Sequence, residues 1–104
     1  MISGSAYRVP VITGSCVDLT VALNKSFTVE EVNAALEEAA NGPLKGILQY
    51  STEALVSSDI VASPYSSIFD SDLTTDANGW LRIVSWYDNE FGYSTRMAEM
   101  CAML

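Results

Sequence analysis

The stretch from Trp80 to Leu104 limits the possible folds more than any other part of the chain. Trp80 to Tyr87 (WLRIVSWY) is apolar on both sides of an extended backbone. Leu81, Ile83, Ser85 and Tyr87 alternate with Trp80, Arg82, Val84 and Trp86. Successive side chains of a strand point to opposite faces, so large apolar groups on both faces call for cover on both. The second face is expected to be covered by another part of the same polypeptide or by another subunit. Tyr93 to Leu104 then reads as a helix that buries Tyr93, Met97, Met100, Cys101 and Leu104 along one stripe. A methionine-bearing stripe of this kind reads as core before it reads as a cofactor box. Between strand and helix stand Asp88, Asn89 and Glu90, with no spacer. A strand that turns directly into a helix sets backbone N–H groups and short polar side chains at a helix N-terminus. That arrangement suits caps, anions and ligand amides.

The remaining elements follow from local signals. Ala6 to Pro10 is a short apolar run ended by Pro10, and Thr13-Gly14-Ser15 is turn chemistry. Cys16 to Leu23 alternates as a half-buried strand, expected to lie antiparallel to the run before it. Thr28 with Glu31 forms a capping box, Phe27 and Val32 occupy staple positions, and Val32, Ala35, Leu36 and Ala39 make an apolar stripe. Glu30, Glu31, Glu37 and Glu38 fall outside the stripe and read as a wet helix face. Gly42-Pro43 stops the helix, which is placed at residues 29 to 41. Lys45 to Ser51 and Ser66 to Asp70 read as short strands, and residues 52 to 64 read equally as a strand or as an irregular loop. Asn78-Gly79 is a tight-turn dipeptide that pairs the strand at Trp80 with residues just before it. Several strands and two helices outside a strict βαβ series predict an α+β fold: a mostly antiparallel, mixed sheet with two helices packed on one face.

Composition narrows function mainly by exclusion. With 104 residues the chain is one domain or part of one, and 49% hydrophobic residues exclude disorder. A net charge of −8 argues against nucleic acid and against an anionic membrane as partners. The absence of histidine removes Ser-His-Asp and Cys-His catalysis and speaks against a zinc site. Cys16 and Cys101 are expected as buried, reduced thiols. The N-terminal residues lack a basic region followed by a long apolar one, which places the chain in the cytoplasm by default. The acidic run from Asp70 fails as a calcium loop, because Thr75 stands where glycine is needed and Leu81 where a bidentate glutamate is needed. Arg8 lies among apolar residues in a chain poor in cations. It suits an ion pair with a carboxylate such as Asp18 or a phosphate-bearing ligand, and the residues alone favour neither.

One resemblance covers nearly the whole chain. SWYDNEFGYS (Ser85 to Ser94) resembles the C-terminal signature of the phosphorylating glyceraldehyde-3-phosphate dehydrogenases. Tyr7-Arg8-Val9-Pro10, Val17-Asp18-Leu19-Thr20-Val21, Gly42 to Leu48, Val56 to Asp59 and Ser66 to Asp70 fall in the same order at compatible spacing. The resemblance implies that residues 1 to 104 are the C-terminal portion of that catalytic domain, without the NAD-binding domain and without the catalytic cysteine and histidine. It implies that Asn89 hydrogen-bonds the nicotinamide carboxamide of NAD, that Tyr93 packs near the ring, and that Arg8 contacts the substrate phosphate. Neither Cys16 nor Cys101 matches the nucleophile, so no catalytic residue and no metal ligand is assigned. The implied whole is a glycolytic, cytoplasmic homotetramer acting on glyceraldehyde 3-phosphate, inorganic phosphate and NAD. Its subunits would associate through the sheet face, and the present chain alone would be inactive and would not bind NAD tightly. The competing reading is a stand-alone or proteolytic-remnant sheet domain that serves as a self-association module.

Overall fold

The computed structural model describes residues 3–104. Its strands are β1 (Ser15–Ala22), β2 (Leu48–Ser51), β3 (Ser67–Ala77) and β4 (Trp80–Tyr87); its helices are α1 (Val29–Asn41) and α2 (Phe91–Ala102), with a 3₁₀ turn at Ser57–Ile60. The strands form one four-stranded sheet ordered β1-β4-β3-β2. β4 is interior and antiparallel to both β1 and β3, whereas β2 pairs parallel to β3 at the edge. The fold is therefore α+β, with a mixed sheet and two helices.

Local chemistry explains the elements. At α1 the Glu31 N–H donates to Thr28 Oγ1 at 3.2 Å, and the Thr28 N–H donates to Glu31 Oε2 at 2.9 Å. The predicted bounds and the capping box both hold. In the β3–β4 hairpin Asn78 and Gly79 have φ of 56° and 85°, the paired left-handed turn that matches strand twist. β3 runs well past the expected end at Asp70. Asp70 pairs with Val84 and Thr75 with Arg82, so extra residues bulge from β3 between them. The Asn33 side chain of α1 donates to the bulge carbonyl of Ser71 at 3.2 Å, tying helix to sheet.

The main core lies between α1 and the sheet. Ala40, Leu48 and Phe69 are buried there, with Leu36, Ala39, Tyr50 and Ile83 packed around them. Phe69, 2% exposed, contributes about 2 kcal/mol through burial alone. On the opposite face of the sheet Ile68 and Val84 are buried, and the 3₁₀ turn brings in Ile60. Residues 52 to 64 are therefore a loop rather than a strand, and the loop carries core.

Four expectations are overturned. Residues 6 to 10 form no strand, and β1 pairs with β4 instead of with its predecessor. Proline removes a ladder donor from that run, while the free edge of β4 offers an eight-residue match from Ser15↔Tyr87 to Ala22↔Trp80. Val17 and Leu19 are exposed, as is Cys16, so β1 is not half-buried within this chain. The α2 stripe is uncovered: Tyr93 is 70% and Met100 65% exposed, and Met97 and Leu104 also face solvent. Cys101 lies on that open stripe and is exposed, so neither thiol is buried. The periodicity correctly marks an apolar face, but nothing else among the described residues packs over it.

Candidate functional site

The end of β4 and the start of α2 are held by one carboxylate. Asp88 is only 8% exposed. Its Oδ1 accepts from the N–H groups of Glu90 at 2.9 Å and Phe91 at 2.8 Å, which are free donors of the opening helix. Its Oδ2 accepts from the Ala62 N–H at 3.0 Å, across 26 residues of sequence. Ala62 has φ of 60°, a left-handed conformation uncommon for alanine, and this bond helps to hold it there. The three N–H donors, led by Phe91, hold the Asp88 carboxyl below its ordinary value of 3.8. α2 also passes tightly over the loop before β3. A Cβ on Gly92 would lie 2.5 Å from the Tyr65 carbonyl oxygen. Arg96 then reaches the Gly46 carbonyl and Ser66 Oγ at 3.3 and 3.2 Å.

Asn89 follows Asp88 and is exposed. Its Oδ1 accepts from the Gly14 N–H at 3.0 Å, from Ser15 Oγ at 3.1 Å and from Thr13 Oγ1 at 3.3 Å. Among the described residues no hydrogen bond engages its Nδ2. The sheet explains the encounter. Ser15 pairs with Tyr87, so the turn that opens β1 lies beside the residues that close β4. Gly14 has φ of 91°, and a Cβ there would lie 2.5 Å from the Ser57 carbonyl oxygen. Only glycine fits both the conformation and the approach.

The other sequence-derived site residues are placed less closely. Tyr93 stands on the first turn of α2, four residues past Asn89 and open to solvent. Arg8 lies in the segment before the Thr13–Ser15 turn, exposed, with no ion pair among the described residues. The alternative pairing of Arg8 with Asp18 is not formed; Arg82 takes Asp18 instead, through two hydrogen bonds of 2.8 and 2.7 Å. The Arg82 hydrogen bonds hold the Asp18 carboxyl below its ordinary value. Among the described residues no group of three or more His, Cys, Asp or Glu is arranged to hold a metal, and no helix is long and apolar enough to cross a membrane. Sequence reasoning treated Thr13-Gly14-Ser15 as an ordinary turn and did not foresee its contact with Asn89. The signal was the register of β1 against β4, which is not a local property.

The chain resembles known proteins along its length. Residues 1–89 match the model of the glyceraldehyde 3-phosphate dehydrogenase C-terminal domain. The chain belongs to the glyceraldehyde-3-phosphate dehydrogenase family. The glyceraldehyde-3-phosphate dehydrogenase of Mycolicibacterium smegmatis is 52% identical over 103 residues, which is 99% of this chain and 30% of that protein. The Mycobacterium avium enzyme matches with the same identity and coverage. Glyceraldehyde-3-phosphate dehydrogenase 2 of Drosophila pseudoobscura pseudoobscura is 47% identical over 100 residues, 95% of this chain. The chain thus spans 30% of the length of these family members. The match to the domain model stops at Asn89, so α2 lies beyond it.

Proposed function

We propose that residues 1 to 104 are the C-terminal portion of the catalytic domain of a phosphorylating glyceraldehyde-3-phosphate dehydrogenase. In this reading Asn89 hydrogen-bonds the nicotinamide carboxamide, Tyr93 packs near the nicotinamide ring, and Arg8 contacts the substrate phosphate. The observation that carries the reading is the Asn89 side chain. It is fixed by three donors at a strand-to-helix joint, on an exposed residue whose Nδ2 has no hydrogen-bond partner among the described residues. An immobilised side-chain amide of this kind fits a carboxamide ligand, whose orientation it sets without a charge. NAD, when bound, supplies the acceptor for the hydride taken from the aldehyde. The residues of this chain orient and bind. Asn89 limits rotation of the carboxamide, Tyr93 offers an apolar edge, and Arg8 offers a guanidinium fork to a phosphate dianion. The nucleophile and the proton-transfer base come from outside this chain, which contains no histidine.

The family's glycolytic setting, a cytoplasmic location and a homotetramer joined through the sheet face complete the proposal. The exposed apolar groups of β1, with Trp80 at 52% exposure, support such an assembly. The test is steady-state kinetics on the complete dehydrogenase bearing this segment. Arg8→Leu is expected to raise KM for glyceraldehyde 3-phosphate by on the order of tenfold or more with little change for NAD, and Asn89→Ala to show the reverse selectivity. The 104-residue chain by itself is expected to reduce no NAD. Turnover by the purified chain, or indifference of both constants to both substitutions, would refute the proposal.

A further inference from the structure

We infer that the Thr13–Gly14–Ser15 turn is a positioning element that locks the polarity of the Asn89 amide, so that the site takes its ligand through a carbonyl oxygen. The inference rests on the reading of Asn89 as the carboxamide anchor and adds the direction of the hydrogen bond and the residues that impose it.

A primary amide has two faces of opposite character and can flip between them. Here the flip is opposed by a donor that has no alternative. The Gly14 backbone N–H can only donate, and it points at the Asn89 side chain from 3.0 Å. Turning the Asn89 NH2 toward it would set donor against donor. Gly14 cannot retreat, because it is buried against the Ser57 backbone at a φ of 91°. The hydroxyls of Ser15 and Thr13 add donors at 3.1 and 3.3 Å to the same oxygen. An amide oxygen has two lone pairs, and three donors saturate them. Asn89 Oδ1 therefore has no capacity left for a ligand N–H, and the two hydrogens of Nδ2 are what the site presents. On the other side, Asp88 fixes the backbone from which Asn89 projects, through Glu90, Phe91 and Ala62. Thus the backbone of Asn89 is set by one neighbour and its side-chain rotation by another, and neither neighbour touches the ligand.

The chemical consequence is a preference for an acceptor on the pyridinium ring. Nicotinamide carries both C=O and NH2 on the carboxamide carbon, and only the C=O meets Nδ2–H. The 3-acetylpyridine analogue of NAD keeps the C=O and replaces the NH2 by a methyl group, so it separates the two polarities. In the complete dehydrogenase bearing this segment, Asn89→Ala is expected to raise KM for NAD and for the acetylpyridine analogue by a similar factor, on the order of tenfold for one hydrogen bond. Ser15→Ala is expected to raise both KM values by a smaller factor at nearly constant kcat, and Ser15→Thr, which keeps the hydroxyl, to restore them. Equilibrium binding of the two dinucleotides, followed by tryptophan quenching, gives the same comparison for any variant that loses turnover. A penalty for NAD with none for the analogue would show Asn89 accepting from the ligand and overturn the polarity. A full penalty from Asn89→Ala with none from Ser15→Ala would remove Ser15 from the positioning role and overturn the inference while leaving the anchor intact. No penalty for either dinucleotide would remove the anchor itself.

Discussion

The two helices of this chain begin in different ways. α1 is closed by its own residues: Thr28 and Glu31, three positions apart, satisfy each other's N–H groups. α2 has no such box. Glu90, at its N-cap, makes no side-chain cap, and the donors of the first turn are met by Asp88, which also takes the Ala62 N–H from a distant loop. The first cap stabilises a helix. The second joins a strand end, a helix start and a loop at one carboxylate, with the exposed amide of Asn89 next in sequence. The difference teaches that a cap built across the fold fixes the position of its neighbours, whereas a local cap fixes only the end of its own helix.

The largest expected test of this contrast is Asp88→Ala. It leaves the Glu90, Phe91 and Ala62 N–H groups without their acceptor in a part-buried setting and is expected to cost about 2 kcal/mol in urea unfolding of the chain. Hydrogen exchange should rise at residue 62 as well as at 90 and 91; a rise confined to 90 and 91 would reduce Asp88 to a local cap. Thr28→Ala is expected to cost about 1 kcal/mol, with faster exchange limited to the first turn of α1. A loss as large as that of Asp88→Ala would erase the distinction. The smallest effect comes from acid. The Asp88 carboxyl is depressed in the folded chain, so its stabilisation is full above its ordinary value of 3.8 and is lost as pH falls through the lower, folded value. Lowering pH from about 6 to 4 should therefore erode stability only slightly, with the main loss at lower pH, and Asp88→Asn should flatten that decline. An unchanged slope in Asp88→Asn would remove Asp88 as its source.

Legibility in the sequence followed the range of the interactions. The bounds of α1 were readable because the capping box and the glycine stop lie within the helix's own span. β4 and its turn were readable from two-sided apolarity and Asn78-Gly79. β3 was read short because Ser71 to Thr74 leave the ladder as a bulge, and a bulge breaks the alternation by which a strand is recognised. The partner of β1 was misread because a short connection favours the preceding segment, while the free edge of β4 lies at the other end of the chain. The stripe of α2 was real as periodicity, but periodicity reports an apolar face and not whether this chain covers it. In the candidate site, Asn89 and Tyr93 stood out by resemblance and Asp88 as a plausible cap. Gly14 did not stand out, since its meaning depends on Ser57 and Asn89, both distant in sequence.

The pairing of β1 with β4 also has a temporal side. The hydrogen bonds to Asn89 close loops of 74 to 76 residues, whereas the β3–β4 hairpin closes across two. A long loop loses its chain entropy before the contact returns any stabilisation. β1, with the Thr13–Ser15 turn that opens it, is therefore the element whose docking completes the amide site and whose departure would dismantle it. A protease that trimmed the chain before β1 reached its edge would leave the hairpin and both helix caps in place, and an Asn89 free to present either face.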